Sequence, residues 1–246
     1  MKTDRPSFRK RLKLYRRVNW FKTLKFNLRK FPFGIARKLP VVFYGSVRFG
    51  DLSGEVILKG PIRMGMVGFG QQFEKFTRSR GVAEFTLSGT LVFKGYCHMG
   101  KDCRFSVGRG AYCEFGDMSA LGSNVKLICT ERIVLGDWTG IGFESQLIDT
   151  NAHPMKNTKT GEVYPMKGPI ELGSYNAVSN RVSFMPNCKT PDYCVIASNS
   201  LCNKDYRDMG ERILIGGVPA KLIKEDYARD WEAEKEVLKR NKIARF

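Results

Sequence analysis

The features that would classify a chain fastest are missing from this one. Its seven cysteines are odd in number and contain no Cys-x-x-Cys pair, so the sequence argues against a disulfide framework and a zinc site and suits a reducing cytoplasm. No apolar run approaches the roughly 18 residues of a membrane span, and no apolar stretch of about 7 to 15 follows the basic start, so neither a span nor an export signal is expected. Histidine is scarce, with His98 and His153 the whole supply. Acid is scarce in residues 1–40, which hold 14 Lys/Arg against Asp4 alone, a net of +13 out of the chain's +18. The other 206 residues therefore carry only +5, and the basicity belongs to an arm. Such an arm attracts phosphate of any kind, whether lipid headgroup, nucleic acid or anionic carrier lipid.

What is present points to a globular β protein. Hydrophobic residues make up 42% of the 246, enough for a core, while 25 glycines and 17 phenylalanines lean away from a helical bundle. Within the arm, Trp20, Phe21, Leu24, Leu28 and Phe31 recur at spacings near three and four among lysines and arginines. That pattern predicts an amphipathic basic helix ending near Pro32, which either packs on its own domain or contacts a membrane surface.

From about residue 41 the texture changes to short apolar runs broken by glycine, and a repeat emerges. Leu172, Val178, Phe184, Thr190 and Ile196 stand six apart, each followed four places later by a mostly small residue: Asn176, Val182, Cys188, Cys194 and Ser200. Leu135, Ile141 and Leu147 keep the period upstream, as do Phe115, Leu121 and Leu127, with Met99 and Phe105 one step more. Cys103, Cys188, Cys194 and Cys202 fall on repeat positions, which explains thiols that form no motif. A period of six fits neither a helix nor a plain strand; it predicts an all-β solenoid with three flat faces of six residues and 18 to a coil.

The register is broken briefly at 105–115 and 127–135 and at length between Leu147 and Leu172, where a polar, turn-rich loop spans 148–169. A loop thrown out of a regular prism is where function tends to sit, and His153 lies at its start. After "GGVPAKLIK" the pattern turns helical, with Tyr227, Trp231 and Leu238 on one face, and a helix capping the last coil is expected. The expected organisation is an arm over 1–40, a solenoid domain over 41–223 and a C-terminal helix over 224–246.

The repeat, the loop "DTNAHP" and the ending "NKD" with "GGVPAKLIK" together resemble the hexapeptide-repeat acyltransferases, whose "TKD" and "GNPAKVIK" they match in kind, over roughly residues 90–224. The resemblance implies a left-handed parallel β-helix, a homotrimer with sites between neighbouring prisms, acetyl-CoA as acyl donor and no metal. It is strongest toward O-acetyltransferases of sugars in capsule, exopolysaccharide and lipopolysaccharide assembly. The arm segment "FNLRKFPFGIARKLP" is loosely similar to the front end of some of these enzymes. By position the resemblance puts the catalytic histidine on His153, an acceptor-touching asparagine on Asn124, and the lysine of "TKD" and the basic residues of the closing motif on Lys204, Lys221 and Lys224. The chain departs from the pattern at "NAVSN", where Ala177 stands in place of a tryptophan that shapes the site in relatives.

The chemistry follows from the residues. Moving an acetyl group from a thioester to an alcohol requires a base for the hydroxyl proton, and histidine, with a free pKa of about 6.5, suits that task. Asp149 or a loop carbonyl could orient its second nitrogen, Asp149 being alternatively a corner carboxylate. Backbone N–H groups near Ser179 and Ser198 could serve the oxyanion, and Lys204, Lys221 and Lys224 the phosphates of CoA. Asn124 either holds the sugar hydroxyl or is a corner asparagine in a left-handed conformation. His98 reads as surface. A cytoplasmic protein, or one peripheral at the inner membrane surface, is expected. A nucleic-acid partner is not expected, because the repeats lack basic and aromatic interleaving. The competing reading is a β-helix that serves as a scaffold or binding protein without turnover.

Overall fold

A computed structural model of the chain describes residues 8–71, 74 and 81–242. Strands of two to five residues stack in parallel into three sheets, and the chain visits the three in turn, so that each circuit is one coil of a left-handed parallel β-helix. The first face starts at Val41–Phe43 and runs to Leu214–Gly217, the second from Val47–Phe49 to Leu201–Cys202, the third from Glu55–Leu58 to Lys189–Thr190. In the last coils Leu172 lies over Thr190, Val178 over Ile196 and Phe184 over Cys202, each pair 18 residues apart. Earlier coils are looser: Met99 pairs with Leu121 and Leu121 with Ile141.

Every large and small repeat position named from the sequence is buried, which is what one inward side chain per face and a filler at each corner demand. All seven cysteines are buried free thiols. The first coils are filled by phenylalanine, with Phe85 and Phe105 stacked at 5.0 Å and Phe69 edge-on to Phe85 at 5.1 Å. At two of the three corners most coils turn through a residue of positive φ. Asp102, Asn124, Glu144, Arg181 and Asn199 form one corner column, and Met118, Trp138, Tyr175, Tyr193 and Arg212 another, with φ between 54° and 61°.

The arm closes the open end of the prism. Helix α1 (Phe8–Arg17) leads into α2 (Trp20–Lys30), and a single turn, α3 (Phe33–Ala36), precedes the first strand. An edge strand leaves backbone groups unpaired. Here side chains of α2 take them: the Asn27 amide donates to the Val41 carbonyl at 2.6 Å and accepts from its N–H at 3.2 Å, and the Thr23 hydroxyl accepts from the Phe43 N–H at 3.0 Å. Phe26 plugs the prism, 5.0 Å from Phe43 and 5.5 Å from Phe85. The Lys30 ammonium donates to the carbonyls of Leu52 (2.5 Å) and Gly54. The helix thus packs on its domain, but through Thr23, Phe26 and Asn27; the apolar stripe of Trp20, Phe21, Leu24 and Leu28 points away, and Phe31, expected in that stripe, is buried just beyond the helix end.

Two further expectations are corrected. His98 is only 1% exposed: its side chain leaves the prism, but the neighbouring coil covers it, and a Cβ on Gly68 would stand 2.7 Å from its Nδ1. The C-terminal helix α4 (Trp231–Lys242) does not cap the last coil. Tyr227 precedes the helix and is exposed, and Trp231 packs sideways on the corner column, against Trp138 and Tyr175. The last coil is finished instead by Ala220–Lys224, which folds back antiparallel on Leu214–Gly217.

Candidate active site

The long loop leaves the corner between the second and third faces, after the strand Gln146–Ile148, and returns at Ile170–Leu172. Its stem is laced shut: Thr150 and Lys167 bridge, the Asn151 N–H donates to Met166 O at 2.8 Å, and Gly168 N–H to Asp149 O at 3.1 Å. Above the stem, Ala152 has φ +60° with its N–H on Thr150 Oγ1 (3.0 Å), and the His153 N–H reaches Asn151 O at 2.7 Å. This tight turn throws the His153 ring outward. The ring is exposed and makes no hydrogen bond among the described residues. Beyond it the loop forms a small hairpin, Met155–Lys156 against Val163–Tyr164, on which Met155, Val163, Tyr164 and Met166 are all exposed.

Asp149 does not orient that ring, and the expectation that it does is corrected. It is fully buried, and both carboxylate oxygens are engaged below the loop: one accepts from Thr130 N–H (2.7 Å) and Oγ1 (2.8 Å), the other from the N–H groups of Glu131 (2.8 Å) and Arg132 (2.9 Å). Four donors fill a carboxylate's capacity. Asp149 ties the base of the loop to the preceding coil, so it fixes the platform of His153 without touching it.

Asn124, Ser179 and Ser198 line the corner between the first and second faces. Asn124 is exposed, at φ +57°, which is the left-handed corner geometry asparagine tolerates. Three coil spacings of about 4.8 Å put it roughly 14 Å along the prism from Ser198. The Ser179 N–H is already spent on Ile196 O at 3.0 Å, so this backbone donor is withdrawn as an oxyanion candidate. The Ser198 N–H makes no hydrogen bond among the described residues, while its hydroxyl donates to Asn180 Oδ1 at 2.8 Å.

Lys204, Lys221 and Lys224 are exposed at the last coil. The Lys204 ammonium stands 5.4 Å from the Tyr206 ring, Lys224 5.3 Å from Tyr227, and Lys221 sits on the closing hairpin opposite Gly216. Ala177 pairs with Gly140 and Val195 on the first face. These small residues, with Ser179, Tyr227 and Arg229, line a groove of about 370 Å³. The space beside Ala177 is not left without an indole: Trp231 returns from α4 to it, its Nε1–H on Tyr175 O at 3.0 Å. The ladder that receives Trp231 was missed in the sequence. Trp138, Tyr175 and Tyr193 stack with planes 3° apart, Arg212 lies 4.7 Å over Tyr193, and Lys235 5.3 Å over Trp138.

Within one chain the structure brings Ser179 and Ser198 to the same corner and sets Lys204, Lys221 and Lys224 around the last coil. It does not bring His153 to Asn124, which leave the prism at different corners. A larger cleft of about 520 Å³ lies at the other end, under α1, and contains none of the predicted site residues.

Coil, corner columns and loop define the class as a left-handed parallel β-helix with a loop-borne histidine. No protein-family profile matches the chain, and no curated protein matches it in sequence. Solved structures of similar fold include the polySia-specific acetyltransferase NeuO, 16% identical over 76% of this chain and 88% of that one, with a TM-score of 0.48. Also similar are the polysialic acid O-acetyltransferase OatWY (14%, 75% and 91%, TM-score 0.39) and a single-residue mutant of AntD, an N-acyltransferase from Bacillus cereus, in complex with dTDP and coenzyme A (14%, 81% and 89%, TM-score 0.40). At these identities the likeness is one of fold.

Proposed function

We propose that the protein is an O-acetyltransferase that moves an acetyl group from acetyl-CoA to a sugar hydroxyl during synthesis of a capsule, exopolysaccharide or lipopolysaccharide, with His153 as general base. The observation that carries this reading is the loop: among the described residues, a braced excursion from the prism that holds an unengaged imidazole in the open. His153 takes the proton as the sugar oxygen bonds to the thioester carbonyl carbon. The carbonyl oxygen becomes an oxyanion, for which the Ser198 N–H is open while the Ser179 N–H is spent on Ile196 O. Collapse of the intermediate breaks the C–S bond, and the proton on His153 passes to the departing thiolate. Lys204, Lys221 and Lys224 receive the CoA phosphates. Because His153 and Asn124 belong to different corners, a complete site draws on two chains. The exposed apolar hairpin beside His153 is suited to the contact in a homotrimer.

Turnover is tested by release of CoA thiol from acetyl-CoA against a panel of nucleotide sugars and short glycans. His153→Ala should lower the rate with the productive acceptor by at least about 10²-fold while leaving CoA-induced thermal stabilisation intact. Equal rates for the two proteins with that acceptor would remove His153 as base. A chain that CoA does not stabilise would favour the second reading, a scaffold, to which the spent N–H of Ser179 and the changed position 177 lend support.

A further inference from the structure

We propose that the outward face of α2, continued by Phe33, docks in the interface of an anionic lipid bilayer. At about 100° per residue, three sectors share the helix surface. Thr23, Phe26 and Asn27 face the prism and are buried. Beside them Trp20, Phe21, Leu24 and Leu28 form one stripe, exposed by 36%, 71%, 45% and 58%, running from Trp20 at the edge of the buried sector, where it stacks on Tyr15 at 5.8 Å, to Phe21 on the outer face, and Phe33 extends it at 74%. Beside this stripe run Lys25 and Arg29, both exposed, with Arg37 and Lys38 beyond the helix end. None of these four cations makes an ion pair among the described residues.

A helix with an apolar stripe of aromatic and leucine side chains flanked by basic ones lies flat at the headgroup boundary, where rings and cations are both satisfied. The charge selects this occupant over a second copy of the chain. Residues 8–40 contain 12 Lys/Arg and no acid, so pairing two such faces would set like charges together, whereas an anionic leaflet supplies the counter-charge. Attachment costs no folding either: Asn27, Thr23, Phe26 and Lys30 already clamp α2 to the first coil, so the stripe is presented on a rigid base. This inference is independent of the proposed chemistry.

The test is co-sedimentation of the full chain with vesicles of phosphatidylcholine alone and with about 30 mol% phosphatidylglycerol, with and without brominated acyl chains. The expected result is at least about tenfold stronger partitioning to the anionic vesicles, weakened by salt, with tryptophan quenching that Trp20→Phe removes. Trp138 and Trp231 are buried and stay silent. Phe21→Ser/Leu28→Ser should lower partitioning at least about tenfold without lowering Tm, since both side chains are exposed. Lys25→Glu/Arg29→Glu should act in the same direction. No preference for anionic vesicles overturns the proposal. So does unchanged binding of the double serine variant, which would reduce the contact to charge alone. A fall in oligomeric mass of that variant with vesicle binding unaffected would assign the stripe to a contact between chains instead.

Discussion

Asp149 is the residue whose role changes most between sequence and structure. From the sequence it stands four places before His153 and could serve it; in the fold, its buried carboxylate accepts three backbone N–H groups and a hydroxyl from Thr130–Arg132. Removing the acceptor leaves four part-buried donors without their partner, each at a cost of up to about 1–3 kcal/mol, partly recovered by water and relaxation. Asp149→Ala should therefore destabilise the domain by roughly 2–4 kcal/mol in urea unfolding and speed proteolysis within 150–168, while Asp149→Asn should recover part of the loss. A variant with wild-type stability and a merely inactive His153 would return Asp149 to the chemistry. His98 teaches a related lesson. Alternation correctly sends it out of the prism, but outward on a solenoid is not the same as exposed, because covering segments are invisible to a local pattern.

At the scale of elements, α4 is held chiefly by Trp231, with Leu238 packed on the same cluster and Lys235 over Trp138. Trp231 is 5% exposed and sits edge-on to Trp138 (6.4 Å) and Tyr175 (5.8 Å), with Arg229 4.5 Å over its own ring. Trp231→Ala forfeits about 3–5 kcal/mol of packing, more than a 12-residue helix supplies by itself, so α4 should detach. Trypsin cleavage at Lys235 and Lys239 should rise at least tenfold while the melting of the prism changes little. The coil pattern, the inward residues and the loop could be read from the sequence because a period of six survives substitution of one apolar residue for another. The docking of α4 could not, since a helical stripe shows that a face is apolar but not what it meets. The aromatic ladder was legible in principle: Tyr175 and Tyr193 are one coil apart, each directly before a small repeat residue, and Trp138 and Met118 hold the same place. Bulky residues at positive φ break the usual expectation for corners, and their own stacking supports the strained turns.

For the whole molecule, acid is the informative stress. Glu114 and Glu171 sit on the outside of the third face. Burial pushes both carboxyls up, but the hydrogen bonds and charges of Lys94, Tyr112 and Lys59 on the first, and of Lys189 and Arg132 on the second, outweigh it, and both end below the usual glutamate range. A depressed carboxyl stabilises the fold above its unfolded value of about 4.3 and loses that contribution as pH falls through the folded value. Tm should be nearly level from pH 7 to about 5 and decline below about 4, and Glu114→Gln/Glu171→Gln should flatten the acid limb. An unaltered limb in that variant would assign acid loss to other carboxylates.

The side-chain plug of α2 at one end and the folded-back strand Ala220–Lys224 at the other have a consequence for size. A six-residue repeat carries no information about how many times it should recur, and a bare prism end is a template on which another chain could continue into a filament. Here the count is set by two terminators. An additional 18-residue coil inserted between them would make a taller prism of the same kind, whereas replacing Thr23 and Asn27 would make one that does not know where to begin.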